Sequence, residues 1–252
     1  MKCFLIDNIR LVIFCFICFS CISACRVDHI SRDFMAYYYP IYDLQDGKVY
    51  EYRPVNNDTL PVDYWYYSSH LVEDSLHFTG NYYNDRFEVQ QFFRETKEEQ
   101  GMRLKDFILY ESRADTKQNQ ISVDILANQT FPESFADSSK TLKMGIKWAI
   151  PDEAGTTITL NRERNYIAKG HFNFNDTRYE SVIFKTLENI EHFVEDDGYL
   201  EPSFPGVEIY AKGIGLVYYK KKLSADVEIE YELYAIYTMQ EFEKKFERSL
   251  KE

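Results

Sequence analysis

Apolar and acidic residues alternate without interruption in one segment near the end of the chain. The apolar residues are Val227, Ile229, Tyr231 and Leu233, and the acidic residues between them are Asp226, Glu228, Glu230 and Glu232. Successive side chains of a β-strand point to opposite faces, so this segment predicts a strand with one buried and one solvated face. Strands of that kind belong to antiparallel sheets, because parallel strands are buried on both faces.

Ten other segments are rich in β-branched and aromatic residues and are separated by turn signals. With Val227–Thr238, the candidate strands are Lys48–Arg53, Asp63–Ser69, Ser75–Tyr83, Phe87–Glu95, Leu104–Ser112, Ile121–Leu126, Thr156–Arg162, Tyr166–Asn175, Tyr179–Leu187 and Val207–Lys221. No βαβ pattern links them, so the sequence predicts a mainly β fold built on one antiparallel sheet.

The last two candidate strands predict a hairpin. If Leu223 lies opposite Asp226 across the turn, Lys221 faces Glu228 on the neighbouring strand. This register brings opposite charges together and also pairs apolar residues with apolar residues, so both kinds of side chain favour it.

Helical spacing follows the last strand. Phe242, Phe246 and Leu250 recur every four residues between Glu and Lys residues, which predicts a C-terminal amphipathic helix whose apolar stripe lies on the sheet. A second short helix is predicted at Glu133–Leu142. The linkers contain no Pro/Ser-rich hinge, so we expect one domain, with Pro151–Gly155 as the best alternative boundary.

The N-terminal segment has the organisation of a secretory signal. Lys2 and Arg10 flank a short polar region, and the apolar run from position 11 to 22 is too short to span a bilayer. It ends in Ile22-Ser23-Ala24-Cys25, which matches the lipobox of bacterial lipoproteins. An ordinary secretory signal that contains cysteines is the alternative.

The lipobox predicts how the chain is divided and where it is held. We expect a signal peptide at 1–24, a lipidated tether at 25–36 that begins with Cys25, and a β-rich globular domain at 37–252. Two or three acyl chains such as palmitate are enough for stable membrane anchoring. The residue after the cysteine is Arg26, and not the aspartate that retains many Gram-negative lipoproteins in the inner membrane, so the outer membrane is favoured. Its periplasmic or surface face stays open.

Cysteine placement and net charge exclude several classes of protein. All five cysteines fall within the first 25 residues, so cleavage before Cys25 leaves one and excludes a structural disulfide.

The chain carries a net charge of −12, and −13 once Lys2, Arg10 and Asp7 leave with the signal. An acidic surface repels nucleic acid and anionic headgroups, so the lipid anchor must supply the membrane contact.

Acidic residues offer one weak catalytic motif. Glu228, Glu230 and Glu232 lie about 6.5–7 Å apart at two-residue steps along a strand, a spacing that glycosidase carboxylate pairs use. The lysines at positions 220–222 across the hairpin favour a solvated, charge-balanced face instead. No Gly-x-Ser-x-Gly motif supplies a nucleophile. We therefore expect no catalytic residues and a protein that is not an enzyme.

Metal and cofactor motifs are weaker still. The acidic turn Glu195–Gly198 lacks EF-hand spacing and favours a surface turn. The histidines stand singly, at His29, His70, His77, His171 and His192. Gly213-Ile214-Gly215 is half of a dinucleotide fingerprint, but it lies in a strand pattern and favours a bulge, a bend or the close approach of another segment. The sequence therefore predicts neither a metal nor a cofactor.

Aromatic residues are unusually abundant, with 21 Tyr, 19 Phe and 2 Trp. In one cluster, strand alternation places Trp65 and Tyr67 on one face and Tyr64 and Tyr66 on the other. A tyrosine-rich core is the simplest explanation, while sugar stacking and apolar cavities also use such rings.

Four short motifs are similar to those of uncharacterised β-rich lipoproteins of Gram-negative envelopes. They are Tyr38-Tyr39-Pro40-Ile41, Asp46-Gly47-Lys48-Val49-Tyr50-Glu51-Tyr52, Tyr179-Glu180-Ser181-Val182-Ile183-Phe184 and Tyr210-Ala211-Lys212-Gly213-Ile214-Gly215-Leu216-Val217. Some of those proteins resemble the lipoprotein-carrier superfamily. The resemblance implies a single, strongly curved antiparallel sheet, half-barrel or sandwich-like, wrapped round a helical element and leaving an apolar cavity.

The sequence is compatible with three functions. The first is a non-catalytic, lipid-anchored envelope lipoprotein that binds an apolar ligand, an acyl chain or an envelope protein partner. The second is a surface lipoprotein that binds glycans through the Tyr and Trp clusters. The third is a carboxylate-pair hydrolase using Glu228 or Glu230. Nucleic acid is not expected as a partner.

Overall fold

The computed structural model describes residues 34–55, 57, 59–73, 75–84, 86–112, 118–134, 140–153, 155–194 and 198–249. The chain divides into two compact units, Met1–Arg32 and Asp33–Glu252. The described residues all belong to the second unit. The expected signal peptide and Cys25 lie outside the described residues, so the lipidation of Cys25 stays a prediction.

Most of the described chain is β-strand. The strands are β1 Lys48–Pro54, β2 Asp63–Val72, β3 Ser75–Tyr83, β4 Val89–Glu98, β5 Gly101–Ser112, β6 Gln118–Ser122, β7 Asp124–Pro132, β8 Leu142–Ala149, β9 Thr157–Phe174, β10 Thr177–Val194, β11 Gly198–Leu200, β12 Ser203–Ala211, β13 Gly215–Lys222 and β14 Glu228–Tyr237. Two short 3-10 helices, Phe34–Tyr37 and Ile41–Asp43, precede them, and α1 Met239–Ser249 follows.

Within the described residues, twelve strands form one closed barrel. Their order is β10-β12-β13-β14-β1-β2-β3-β4-β5-β7-β8-β9, and β9 pairs with β10 to complete the circle. β6 pairs with β5, and β11 pairs with β10, outside this circle. The neighbours are antiparallel, and most are consecutive in the chain, so the barrel is an up-and-down meander.

Closure of the barrel corrects one expectation. The mainly β class is confirmed, but the open, curved sheet of half-barrel or sandwich form is wrong. β1 pairs with β14 from Val49 opposite Tyr237 to Pro54 opposite Tyr231, which joins the first strand to the last. A meander keeps two free edges until these strands meet, and no local pattern in either strand records that pairing.

Residues 34–44, named the plug here, lie inside the barrel at one end. The ring of Phe34 lies 5.6 Å from the rings of both Phe131 on β7 and Phe184 on β10. The ring of Tyr39 lies 5.8 Å from that of Tyr50 on β1. Because these partners belong to strands on different sides of the barrel, the plug fills the interior between them.

Backbone hydrogen bonds fix the plug at the end where β2, β7 and β12 finish. Phe34 N donates to Glu133 O at 3.1 Å, Ser69 N donates to Leu44 O at 2.9 Å, and Gly213 N donates to Ala36 O at 2.9 Å. Phe34 has no exposed surface. Residues 34–36, which the sequence assigned to the tether, therefore pack inside the domain expected to begin at 37.

Other elements predicted from the sequence also change. β9 is a single strand where two were predicted, and Val207–Lys221 is two strands joined by a turn. β8 was not predicted. The short helix expected at Glu133–Leu142 is wrong at both of its described ends. Ser134 forms a β-bridge and Leu142 begins β8, while residues 135–139 lie outside the described residues.

The C-terminal hairpin forms, but its predicted register is wrong by one residue. Lys220 lies opposite Glu230, and Lys222 lies opposite Glu228. Leu223 N donates to Val227 O at 2.8 Å, so the turn is longer than predicted. The β-bulge of β13 lies in its pairing with β12, where Tyr210 pairs with Leu216, and the pairing with β14 has none, so the turn alone sets the register of this hairpin.

α1 confirms the predicted amphipathic helix. It begins with a capping box, in which Thr238 N donates to Glu241 Oε2 at 2.8 Å and Glu241 N donates to Thr238 Oγ1 at 3.3 Å. Phe242 and Phe246 place their ring centroids 5.8 and 3.8 Å from that of Phe87. The third residue of the stripe, at position 250, lies outside the described residues. No helix in the described part of the chain is long and apolar enough to cross a membrane.

The turn between β12 and β13 explains the glycine pair. Gly213 has φ +74° and Gly215 has φ +102°, a region that other residues rarely adopt. A Cβ on Gly215 would lie 2.5 Å from the Tyr39 ring, whereas a Cβ on Gly213 would meet nothing within 4 Å. The predicted close approach of another segment is confirmed, and that segment is the plug.

These two glycines give a matched test of how tightly the plug is held. Both Gly213→Ala and Gly215→Ala strain a positive φ, but only the second drives a methyl group into the buried Tyr39 ring. We expect Gly213→Ala to lower the free energy of unfolding by about 1–2 kcal/mol. Gly215→Ala should cost about 1–3 kcal/mol more, because the core around Tyr39 is overpacked. Urea denaturation followed by circular dichroism measures both, and equal losses would show that the plug is loosely packed.

Candidate functional site

A cavity of about 290 Å³ lies inside the barrel beside the plug. Tyr38 and Tyr39 of the plug contribute to its lining, which is partly aromatic and partly charged. The aromatic lining residues on strands are Trp65, Tyr67, Tyr82, Phe93, Phe107, Tyr210 and Tyr219, and the side chains that bring charge into the lining are Asp63, Glu95, Arg162, Arg164, Glu188, Glu208 and Lys221.

The cavity reaches toward the barrel end opposite the plug, named the open end here. Asp63 is the first residue of β2, and Lys221 is the penultimate residue of β13, and both strand ends lie away from the plug. Trp65 and Tyr67 line the cavity while Tyr64 and Tyr66 face outward, so the alternation predicted for this cluster is confirmed.

Charged side chains enter the interior because β9, β10, β12 and β13 place every second residue there. Arg162 on β9 lies directly opposite Glu188 on β10. Gly206 on β12 lies between Thr186 and Lys221 in the register, and a Cβ there would meet Thr186 Oγ1 at 2.6 Å. The same Cβ would lie 2.4 Å from the backbone oxygen of Lys220, so β12 and β13 pack too closely here for a side chain. Lys221 on β13 reaches across β12 to Glu188 on β10.

Glu188 is the centre of a group named the outer triad here, with Arg162 and Lys221. Its Oε1 accepts hydrogen bonds from Arg162 Nε at 2.7 Å and from Arg162 Nη2, and its Oε2 accepts one from Lys221 Nζ. The Glu188 side chain is 5% exposed. Burial opposes its ionisation, but the charges of Arg162 and Lys221 outweigh burial and lower the pKa of Glu188 to about 2.

A second ion pair lies beside the plug. Arg164 Nε donates to Glu208 Oε2 at 2.6 Å and Arg164 Nη2 donates to Glu208 Oε1 at 3.3 Å, while Tyr210 Oη donates to Oε2 at 3.1 Å. Glu95 accepts hydrogen bonds from Tyr38 Oη at 2.6 Å and from Thr130 Oγ1 at 2.8 Å. Burial raises the pKa of Glu95, although these donors and Arg164 act against it.

Asp63 links the charged and aromatic parts of the lining. Its Oδ1 accepts a hydrogen bond from Tyr82 Oη at 2.9 Å, and its Oδ2 accepts one from Tyr219 Oη. Burial raises the pKa of Asp63, and the two tyrosine hydroxyls oppose that rise. The rings of Trp65 and Tyr67 stack at 5.6 Å with an interplanar angle of 11°, so this wall presents flat apolar surface next to a carboxylate.

A separate apolar groove of about 600 Å³, named the outer groove here, lies between α1 and the outward face of β1–β3. Its lining is Val49, Val62, Tyr64, Tyr66, Tyr83, Phe87, Met239, Phe242, Glu243 and Phe246. Beside it, the buried Glu51 accepts hydrogen bonds from Lys245 Nζ of α1, from Arg53 Nε at 2.7 Å and from Tyr237 Oη at 2.8 Å. Burial opposes the ionisation of Glu51, but these donors lower its pKa.

The acidic residues singled out from the sequence do not form the site. Glu228 pairs with Lys220 at 2.6 Å, and Glu230 Oε1 accepts a hydrogen bond from Tyr218 Oη at 3.0 Å. Their strand has its other face in the barrel, so the row of acids lies on the outside, as the alternative interpretation predicted. Positions 195–197 of the acidic turn lie outside the described residues.

Two of the histidines that stand apart in the sequence lie side by side in the folded protein. His70 lies directly opposite His77 across β2 and β3, a pairing that single-residue spacing did not predict. His70 Nε2 lies 3.3 Å from Ser68 Oγ, and His77 Nδ1 lies 2.9 Å from Thr96 Oγ1. No group of three or more metal-ligating side chains forms among the described residues, and His29 lies outside them.

The sequence pattern did not indicate the charged residues that dominate the cavity. Arg162, Arg164 and Glu188 sit at positions that strand alternation directs inward, but the predicted β9 was interrupted between Arg162 and Tyr166. The signal that could have found them was the Arg-x-Arg spacing inside a β-pattern, which puts two cations on one face. Which face points inward depends on closure of the barrel.

Comparisons with known proteins identify two solved structures. No family model matches the chain, and no curated protein matches it. One structure is a predicted lipoprotein from Parabacteroides distasonis, at 12% identity and TM-score 0.49, covering 78% of this chain and 95% of that one. The other is a predicted exported protein with a YMCC-like fold from Bacteroides fragilis, at 12% identity and TM-score 0.47, covering 79% and 98%. With both scores below 0.5, conclusions about this chain rest on its own residues.

The outer triad yields a test of the charged lining. Glu188→Gln leaves Arg162 and Lys221 facing each other beside a neutral amide, so we expect a loss of about 3–5 kcal/mol in the free energy of unfolding at pH 7. Glu228→Gln is the matched control, because its solvent-exposed pair with Lys220 should contribute far less to stability. Urea denaturation of both variants measures the difference, and equal effects would contradict the buried triad.

The same variants should respond differently to acid. The pKa of Glu188 is about 2 in the folded protein, below the ordinary glutamate value, so its stabilisation is present above about pH 4.5 and is lost as the pH falls toward 2. The stability difference between the wild type and Glu188→Gln should therefore shrink between pH 4.5 and pH 2. A difference that stays constant over this range would contradict the assignment.

Proposed function

We propose that this protein is a non-catalytic lipoprotein of the cell envelope, anchored through Cys25, whose barrel binds a small saccharide in its interior cavity. The lipobox motif supports the anchor, and the residue Arg26 favours the outer membrane. The interior cavity supports the binding function, because its lining combines aromatic rings with charged and polar groups.

A saccharide matches both parts of that lining. Its C–H faces pack on aromatic rings such as Trp65, and its hydroxyl groups need the dense hydrogen-bonding groups that Asp63, Gln91 and the outer triad provide. The volume of about 290 Å³ lies near the lower end for small-molecule sites, so it suits a ligand of one or two sugar rings.

An acyl chain suits the interior cavity poorly. A hydrocarbon would remove water from Asp63, Arg162 and Lys221 without returning a hydrogen bond, which costs free energy for each group. The apolar cavity that the lipoprotein-carrier resemblance implied is therefore not the interior one.

In this proposal the acidic residues have structural and not catalytic roles. The suggested hydrolytic residues Glu228 and Glu230 lie on the outside of the barrel, away from the cavity. Inside it, both oxygens of Glu188 and of Glu208 accept hydrogen bonds from cationic side chains. Carboxylates held in this way serve to order the wall.

Saccharide binding can be tested by calorimetric titration of the detergent-solubilised full chain with a panel of mono- and disaccharides. Trp65→Leu removes the flat ring from the cavity and should weaken binding about tenfold or more. Trp148→Leu is the matched control, because this tryptophan does not line the cavity and packs beside Leu104 and Ile146. Absence of binding across the panel, or equal losses in both variants, would contradict the proposal.

A second candidate function is supported by the outer groove. Its lining is apolar except for Glu243 and tyrosine hydroxyls, and its volume of about 600 Å³ can hold one hydrocarbon chain. This would give the protein the apolar-ligand function expected from the sequence, at a site on the outside of the barrel.

Lipid analysis of the full chain extracted with a styrene–maleic acid polymer tests the outer groove without detergent competing for it. We expect a non-covalent acyl lipid at near-stoichiometric occupancy, and its loss in Phe246→Glu, which puts a charge into the groove. Lys244→Glu, on the exposed side of α1, is the control and should retain the lipid. A wild type with no bound lipid would reject this second function and leave saccharide binding unaffected.

A further inference from the structure

Four acids line the interior cavity, and each already has internal donors. Glu95 accepts from Tyr38 and Thr130, and Asp63 accepts from Tyr82 and Tyr219. The other two, Glu188 and Glu208, accept from cationic side chains. Three of the four acids therefore have a donor on each carboxylate oxygen. Glu95 is the exception among the described residues, because both of its donors bind Oε2.

Donors, in contrast, are in excess at the outer triad. Arg162 uses Nε and Nη2 on the same oxygen of Glu188, and among the described residues Nη1 has no acceptor. Lys221 uses one N–H of its three on the other oxygen. Both side chains retain access to solvent, at 27% and 29% exposure.

Charge is in excess at the same place. One carboxylate faces two cations, and the ionised Glu188 leaves the outer triad with a net charge of +1. The neighbouring pair of Arg164 and Glu208 is balanced and buried, so it does not offset this charge. Asp63 and Glu95 also line the cavity, but they bind tyrosine and threonine hydroxyls and not the two cations of the outer triad. Burial raises the pKa of both acids, which favours their neutral forms. An anionic group on the ligand would gain charge-assisted hydrogen bonds from donors that are already fixed in place by Glu188.

We propose that the ligand is an acidic saccharide of the hexuronic acid class, whose carboxylate binds Arg162 and Lys221 while its ring lies on the aromatic wall beside Trp65. This inference rests on the proposed saccharide function and names the ligand class for the same cavity. A carboxylate fits because its single negative charge equals the excess of the outer triad and its two oxygens can accept from both cations.

The spacing of the lining residues agrees with this placement. Tyr219 and Lys221 both face the cavity from β13, at a two-residue step of about 7 Å along the strand. Tyr219 holds Asp63 of the aromatic wall, and Lys221 holds Glu188 of the outer triad. A single sugar ring is wide enough to lie against the first pair while its carboxylate reaches the second.

Isothermal titration of the detergent-solubilised full chain tests the inference with three probes for each sugar: the hexuronate, its neutral uronamide and the parent hexose. Glucuronate, galacturonate and mannuronate cover the common ring configurations. We expect at least one hexuronate to bind tenfold or more tightly than its uronamide. Equal affinities for a hexuronate and its uronamide would overturn this inference and leave saccharide binding standing, whereas no binding by any sugar would overturn both.

Two lysines on β13 supply the matched variants. Lys221→Gln cancels the excess charge of the outer triad, so it should lose most of the preference for the hexuronate and keep the affinity for the uronamide. Lys222→Gln lies on the opposite face of the same strand and should keep both. A preference that survives Lys221→Gln would overturn the inference.

If that variant does not fold, the salt dependence of the wild type supplies the test. Its preference for the hexuronate over the uronamide should fall as salt rises from 0.05 to 0.5 M, and independence of salt would overturn the inference.

Discussion

Pairing between β1 and β14 is the constraint on which the rest of the structure depends. It joins the two ends of a meander whose other neighbours are mostly linked by short connections, and it converts an open sheet into a barrel. Closure removes both free edges and gives every strand an inside and an outside. Residues that strand alternation merely placed on one face, such as Arg162 and Glu188, thereby become enclosed partners.

A barrel of twelve strands is wider than its own side chains can fill, since about eight strands give an interior that side chains close. The plug occupies one end of this interior with Phe34 and three consecutive tyrosines. At the other end, space remains and becomes the cavity. The aromatic excess of the sequence therefore serves two purposes: most rings form the core around the plug, and a smaller group, including Trp65, faces the cavity.

Charged residues are tolerated in this interior because they neutralise one another in fixed geometry. Glu188 and Glu208 each bind an arginine from β9, and Lys221 reaches across β12 to the second oxygen of Glu188. Such groups are costly to bury singly, and the pairing offsets much of that cost. The donors that remain unused after this pairing give the cavity a preference that an apolar lining could not have.

The sequence by itself determined the elements that depend on neighbouring residues: the alternating strands, the capped C-terminal helix, the two faces of the Trp65 cluster and the close approach at Gly215. It did not determine closure of the sheet, the register of the last hairpin or the inward set of charges. Alternation and capping act within a few residues of the chain. Closure joins strands nearly two hundred residues apart, and the length of the last turn sets which residues of β13 and β14 pair, so only the tertiary structure decided which faces enclose the cavity.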